Sequence, residues 1–371
     1  MADDPRPDGP PRPRLSVLIV TYNSAADLPD CLAAVGAQTY RPLDLVIVDC
    51  DSSDESVQVV RNTPAGDVPR QVVALGENRG FAGGMNAALE LTDAPYVAAL
   101  NADAVPQPDF FARLADRLDK HPRAAAVTGR LLRPATDDGE ARLDACGMRL
   151  TRTWRHLDRG SGEPAQGRFE TAERVFGATG AATLYRRQAL DDVAVPAPPD
   201  DAETDPSPEI FDTLFHSYRE DAELCFRFQE RGWDVIYEPA AVAEHRRRVV
   251  PAGRSALPAF INYHSLKNRY LLRAYHQTGG NALRTLIPAL GRDLAALAYV
   301  LLRERTSLAA YAWLWRRRHE ILRRRRCIQG RVRTPDALEL WFHATALPLD
   351  DVTIRTATAD ATTDDLRPSD P

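Results

Sequence analysis

Acidic and amide side chains recur directly after apolar runs in this chain, where a strand would hand over to a loop. In "ALNADAVPQPDFF" (99–111) the apolar segment ends on Asn101, Ala102 and Asp103; "LSVLIV" (15–20) is followed by Thr21, Tyr22 and Asn23, and "LDLVIV" (43–48) by Asp49 and Asp51. Ligands of open α/β sheets sit beyond the carboxyl ends of the strands, so these positions converge on one edge. A carboxylate on the tight N-A-D turn suits a hard divalent cation that bridges to phosphate oxygens. Asp and Asn also start turns and cap helices. That role suffices for Asp51 and Asp54, whereas recurrence at two strand ends favours ligand contact for Asp49 and Asp103.

Three further groups carry chemistry in principle. "ENRGFAGGMNAAL" (77–89) opens a helical pattern with Gly80, Gly83 and Gly84; a helix N-terminus offers N–H groups to a diphosphate, although the segment lacks G-x-G-x-x-G and is weak alone. "REDAELCFRFQER" (219–231) places Glu220 and Asp221 in a first helical turn. There acids complement the helix dipole, and one that faced the same cavity as Asp103 would serve as general base towards a hydroxyl. His245 follows the strand-like "AAVAE" and on its own reads more readily as structural than as a ligand.

The elements that must position these residues follow a β-α-β-α rhythm, with apolar runs at 15–20, 43–48, 71–75, 96–100 and 124–129. Continuously apolar strands separated by helices predict a mostly parallel, Rossmann-like sheet covered on both faces. Beyond 130 the rhythm becomes mixed, with strand candidates at 173–187 and 234–245 around a helix near 219–231. The acidic, proline-rich 191–208 reads as a mobile insertion. Residues 256–349 are mainly helical, with Leu283, Leu286, Ile287, Leu290, Leu294, Leu297 and Leu301 along one face; packing of this helix on the preceding domain, with its basic face solvated, is the favoured expectation. The polar ends, 1–13 and 350–371, read as disordered tails. The division expected is therefore 14–255 (14–130 and 131–255 as its halves) and 256–349.

Composition narrows the function. The net charge of −5 gives no general attraction to nucleic acid, and the basic "RRRHEILRRRR" (316–326) is local. Lysine occurs only at Lys120 and Lys267. Five scattered cysteines without C-x-x-C spacing fit free thiols in a reducing cytosol. The N-terminus lacks the apolar stretch of an export signal, and Arg284, Pro288, Arg292 and Asp293 interrupt 283–302 as a membrane span. An amphipathic alternative remains for the C-terminal helices, since arginines beside Trp313, Trp315 and leucines suit the anionic inner face of a membrane.

Taken in order, "VLIVTYNS", "VIVDCDSSDES", "ENRGFAGGMNAAL", "ALNADA", "FGATGAATLYRRQAL" and "YREDAELCFRFQERGW" resemble the family 2 glycosyltransferases of the GT-A fold, in their bacterial rhamnosyltransferase-like branch. The resemblance covers about residues 15–275 and implies a mixed, mostly parallel central sheet flanked by helices, with a C-terminal helical extension. It implies donor-nucleotide contacts at Thr21, Tyr22, Asn23, Asp49, Asp51, Arg79, Gly80, Gly83, Asn86, Asn101 and Ala102. Acceptor contacts fall at Gly177, Thr179 and Gly180, and divalent cation ligands (Mg²⁺ or Mn²⁺) at Asp103 and His245. Asp221 becomes the expected base, with Glu220 as alternative. Asn101 stands at the first position of the D-x-D type motif; Cys50 and Met85 also depart from the family pattern.

The activity so implied is inverting transfer of a hexose, L-rhamnose or a similar sugar, from a nucleotide diphosphate donor. The acceptor is a hydroxyl of a glycan or a polyprenyl-linked molecule in cell-envelope polysaccharide synthesis. Two alternatives stand beside it. A nucleotidyltransferase would want a glycine-rich basic loop after the first strand, which "TYNSAADLP" lacks, and a non-catalytic nucleotide-sugar-binding scaffold is at odds with the joint presence of Asp49, Asp103 and Asp221.

Overall fold

The computed structural model describes residues 11–134, 140–196, 208–247 and 257–349. Its first part alternates β1 (Leu15–Thr21), α1 (Leu28–Gly36), β2 (Leu43–Asp49), α2 (Ser56–Asn62), β3 (Arg70–Ala74), α3 (Gly80–Glu90) and β4 (Tyr96–Leu100). All neighbouring strands here are parallel. Successive side chains on a strand face opposite ways: Val17, Ile19, Leu45 and Ile47 enter the core beneath α1, while Leu18, Val46, Val48 and Ala99 enter the core beneath α3. Burial on both faces explains why these strands read as unbroken apolar runs. Close approach of α3 requires Gly84, where a Cβ would lie 2.6 Å from Val20 Cγ1 and 3.0 Å from Cys50 Sγ.

The second part comprises β5 (Ala104–Pro106), α4 (Phe110–Lys120), β6 (Ala124–Leu132), β7 (Leu143–Ala145), β8 (Met148–Leu150), β9 (His156–Asp158), β10 (Glu173–Val175), β11 (Ala182–Arg186), α5 (Arg187–Val193), β12 (Val195–Pro196), β13 (Pro208–Glu209), α6 (Glu220–Glu230) and β14 (Asp234–His245). β11 lies antiparallel between β4 and β6, and β14 runs parallel to β6, so the central sheet is mixed. The strand expected over 173–187 is two strands, β10 and β11, parted by the "FGATGA" loop. Of the expected insertion, residues 191–193 end α5 and β12 pairs with β13; 197–207 lie outside the described residues, as do 1–10 and 350–371 of the expected tails. Residues 12 and 13 are built in, Arg12 lying over the Tyr40 ring and the Pro13 carbonyl accepting from Tyr40 Oη at 2.7 Å. All five cysteines are free thiols.

The C-terminal part holds α7 (Ala259–His276), α8 (Gly279–Arg303), α9 (Leu308–Arg316), α10 (Arg318–Gln329), α11 (Ala337–Trp341) and β15 (Leu347–Pro348), which pairs with β10 at the sheet edge. α7, α10 and α11 share one core with α6 through Phe226, Leu271, Tyr275, Ile321 and Trp341. α8 departs from expectation. Its buried positions are Asn281, Thr285, Ala289 and Val300, while the leucine stripe faces outward. By length and composition it is also long and apolar enough to cross a membrane, despite the four interruptions.

A buried ionic network ties α6 to α7. Arg227 lies 2.8 Å from Glu223, and His276 lies 3.0 Å from Glu230 and 3.5 Å from Glu223. Burial pushes the His276 imidazole down, but the charges and hydrogen bonds of Glu230 and Glu223 outweigh it and hold its pKa at about 9, against an ordinary 6.5. The folded state therefore binds this proton more tightly than the unfolded chain does. The resulting stability is complete below about pH 6.5 and is lost as pH rises through about 9. Melting temperatures of wild type and His276→Gln should accordingly differ most at the acid end of that window and converge towards its alkaline end. A gap independent of pH would show that the imidazole is not charged in the fold.

Candidate functional site

The residues expected to contact the donor gather where β1 and β2 end in register, Thr21 beside Asp49. Their polar ends are largely spent on the protein. Asn23, at φ 51°, accepts from Ser53 N–H at 2.8 Å and gives its own N–H to Ser52 Oγ at 2.9 Å. Asp49 is buried and accepts from Ser52 N–H and Oγ at 3.0 and 2.5 Å. These bonds sew the two post-strand loops together. Tyr22 and Asp51 are exposed beside them, and Thr21 is buried with its Oγ1 unpartnered. Asp54 accepts from Ser56 N–H at 2.9 Å in the turn that leads into α2.

The start of α3 is not the open anion site that the glycines imply. Gly80 N–H is taken by Asn78 Oδ1 at 2.9 Å, Phe81 N–H by Ser217 Oγ at 3.2 Å and Ala82 N–H by the His216 carbonyl at 3.0 Å. Gly80 has φ 66°, and a Cβ there would meet His216 at 2.4 Å; a Cβ at Gly83 would meet Arg79 at 2.5 Å. The glycines serve backbone geometry and packing. Asn86 is likewise occupied, its amide bridging the Phe211 N–H and carbonyl at 2.9 and 2.7 Å. Arg79 is exposed, with Glu77 2.6 Å from its guanidinium.

The N-A-D turn is closed by Ala104 N–H to the Asn101 carbonyl at 3.0 Å, with Ala102 buried inside it. β5 then pairs with the end of β14, setting His245 opposite Ala104. His245 Nε2 lies 3.3 Å from Asp103 Oδ1, and its Nδ1 2.7 Å from Asp144. Burial would push this imidazole down, but hydrogen bonds and charge from Asp103 and Asp144 raise it to about 9. Asp144 is fully buried beside Arg247, which also reaches Asp158 at 2.5 Å. Among the described residues no group of three or more His, Cys, Asp or Glu side chains is placed to hold a metal. Two facing ligands with a carboxylate behind the histidine do fit a cation whose remaining ligands are substrate phosphates and water.

The Glu220–Asp221 pair adjoins this corner through the "GATGA" loop. Asn101 N–H donates to the Ala181 carbonyl at 2.8 Å, and Gly180 N–H to Asp221 Oδ2 at 2.9 Å. Asp221 Oδ1 accepts from Ala222 N–H at 2.7 Å. Burial raises the Asp221 carboxyl despite those two N–H groups. Glu220 is more deeply buried, has Oε2 unpartnered, and is raised well above its ordinary range by burial and then by Asp221. Thr179 is buried in the loop, while Gly177 faces the core, where a Cβ would meet Cys225 at 2.8 Å.

Sequence reasoning missed the residues that hold this corner. His216, Tyr218 and Arg219 have φ of 64°, 70° and 77°, a left-handed cluster costly for non-glycine residues. From α7, buried Asn268 Nδ2 donates to the Phe215, Ser217 and Tyr218 carbonyls at 2.9, 2.9 and 2.6 Å, and Lys267 Nζ to Leu214 at 2.5 Å. Burial lowers Lys267 to about 8. Asp144, Lys267 and Asn268 lie far in sequence from what they support, and no local motif marks them.

Comparisons with known proteins bear on this geometry. Residues 16–194 match the model described as glycosyl transferase family 2, which stops short of Glu220 and Asp221. The chain is 28% identical over 289 residues to an N-acetylglucosaminyl-diphospho-decaprenol L-rhamnosyltransferase of Mycobacterium tuberculosis, covering 71% of this chain and 85% of that protein. It is 31% identical over 240 residues to an N-acetylglucosaminyltransferase of Mesorhizobium japonicum, covering 64% and 52%. A crystal structure of GalNAc-T7 with UDP, GalNAc and Mn²⁺ aligns with a TM-score of 0.54 at 13% identity, covering 72% of this chain and 49% of that one. The fold is that of the GT-A glycosyltransferases.

Asn268→Ala should remove the amide shared by three carbonyls, of which Phe215 keeps the Ser217 N–H, and destabilise the protein by about 1–3 kcal/mol. Hydrogen–deuterium exchange should rise at residues 215–219 and stay unchanged in β1, β2 and β4. Unaltered exchange across 215–219 would show that the loop keeps its shape without the α7 clamp.

Proposed function

We propose, on the match of residues 16–194 to glycosyl transferase family 2, that this chain is a member of that family and carries out inverting, metal-dependent transfer of a hexose from a nucleotide diphosphate sugar. The acceptor in this reading is a hydroxyl of a glycan or lipid-linked molecule of the cell envelope, met at the cytoplasmic face of the membrane. The observation that carries it is the juxtaposition of Asp221 with the N-A-D turn: one short loop receives Asn101 N–H at Ala181 and fixes Asp221 through Gly180. The name of the mycobacterial relative motivates both L-rhamnose as the sugar and a polyprenyl diphosphate carrier.

Asp103 and His245 would hold the cation, Mg²⁺ or Mn²⁺, which when bound offsets the negative charge gathering on the diphosphate leaving group. Tyr22 and Asp51, exposed at the β1 and β2 ends, flank the nucleotide. Asp221 takes the proton of the acceptor hydroxyl as that oxygen bonds to the anomeric carbon and the bond to the diphosphate oxygen breaks. Attack from the face opposite the leaving group inverts the anomeric centre. Its two N–H bonds hold the Asp221 carboxylate in place, and its raised pKa makes it a stronger base than an exposed aspartate. Burial and then the charge of Asp221 push the Glu220 carboxyl well above its ordinary range, towards the neutral form that spares Asp221 a second negative neighbour.

Asp221→Asn should lower kcat by about 100- to 10,000-fold, the range for loss of a general base, with donor affinity unchanged. Wild-type cellular function of that variant would favour a non-catalytic scaffold. In calorimetry with dTDP, UDP and GDP sugars, one nucleotide should bind in a Mg²⁺- or Mn²⁺-dependent manner, and Asp103→Ala should remove the metal dependence. Metal-independent binding by both proteins would remove Asp103 from the cation site.

A further inference from the structure

α8 is amphipathic in the reverse sense for a packed helix. Its inward row, Asn281, Thr285, Ala289 and Val300, is small or polar, whereas Ile287 is 83% exposed and Leu286, Leu290, Leu294 and Leu301 stand about half out of the protein. At 100° per residue the stripe lies roughly a third of a turn from the buried row, so both run the length of the helix without overlap. The roll of the helix is fixed. Trp154 Nε1 donates to Thr285 Oγ1 at 2.9 Å, Arg152 to the Arg284 carbonyl at 2.9 Å, and Asp293 is held by Arg269, at 2.7 Å, and by Arg273. The leucines cannot turn inward while these contacts stand.

Basic side chains stand exposed around the helix. Arg284, at the edge of the stripe, pairs with Glu339, Arg292 and Arg303 are exposed on the other side of α8, Arg305 follows its end, and Arg316, Arg317 and Arg318 follow on α9 and α10 beside Trp315, which is 69% exposed. Asp293 is the sole acid on α8, and two arginines already neutralise it.

We propose that this face of α8 docks on an anionic lipid bilayer, the helix lying in the membrane plane with its leucines among the acyl chains and the arginines beside Trp315 at the headgroups. An apolar stripe with a nearby basic cluster and an exposed tryptophan is the composition of an interfacial helix. A second copy of the chain would cover the leucines but gives no reason for the exposed arginines beside Trp315. A spanning helix would have to strip Asp293 of both arginines and abandon Trp154. The proposal holds whichever sugar is transferred, and its test involves neither donor nor acceptor.

The test is flotation of the full chain with vesicles of phosphatidylcholine, alone or with phosphatidylglycerol. Binding is expected on the anionic vesicles, released by salt and by alkaline carbonate. Leu286→Glu, Leu290→Glu and Leu294→Glu combined should weaken it at least about tenfold with the melting temperature preserved, and the single Leu290→Glu should weaken it in the same direction. Arg316→Gln, Arg317→Gln and Arg318→Gln combined should flatten the salt dependence. No flotation of the wild type, or equal flotation of the leucine variants, overturns the proposal. So does a wild-type dimer that the leucine variants convert to monomer without vesicle binding, which assigns the stripe to a second copy, and so does retention through carbonate, which assigns it to a span.

Discussion

The hydrogen bond from Asn101 N–H to the Ala181 carbonyl, 2.8 Å long, is the constraint on which the site depends. It extends the antiparallel pairing of β11 with β4, from Leu100 opposite Ala182, one step past the strand ends. The parallel half of the sheet supplies the N-A-D turn, and the mixed half supplies the loop that grips Asp221. Because β11 is inserted between β4 and β6, the two halves cannot shift against each other without breaking the central sheet. The Asp103 corner and the Asp221 corner are therefore set by backbone pairing rather than by contacts among their side chains.

A second support comes from outside the matched segment. The left-handed cluster before α6 is held by Asn268 and Lys267 of α7, and α7 in turn shares its core with α6, α10 and α11. Strain at such a cluster persists only where surrounding structure over-determines it. The C-terminal helices thus have a structural part in the site, distinct from anything the outer face of α8 does. The ionic chain running from Asp103 through His245, Asp144 and Arg247 to Asp158 extends the same logic, since each member is fixed by at least one buried or partly buried neighbour.

Much of this was legible in the sequence. Apolar runs located β1, β2, β4 and β6 because burial on both faces leaves no room for alternation, and the acids after those runs stand together at one edge of the sheet. Where reading failed, the same residue types were satisfying backbone needs. Glycines at 80, 83 and 84 looked like a phosphate cradle yet make room for His216, Arg79 and Val20. Asn86 looked like a donor contact yet clamps Phe211. The leucine stripe of α8 has the period of a buried helix face, and periodicity alone carries no information on which side the protein lies. Supports such as Asp144 and Asn268 depend on tertiary proximity, which no local pattern encodes.

Lys267 acquires an additional meaning from the scarcity of its kind. It is one of two lysines, its amine buried under the Trp313 ring at 4.6 Å and bonded to the Leu214 carbonyl, whereas Lys120 sits exposed at the end of α4. An amine-directed reagent can reach Lys267 only when α7 lifts from the loop before α6. The ratio of modification at these two side chains is then an internal gauge of how often that loop is released, read from a single untagged protein.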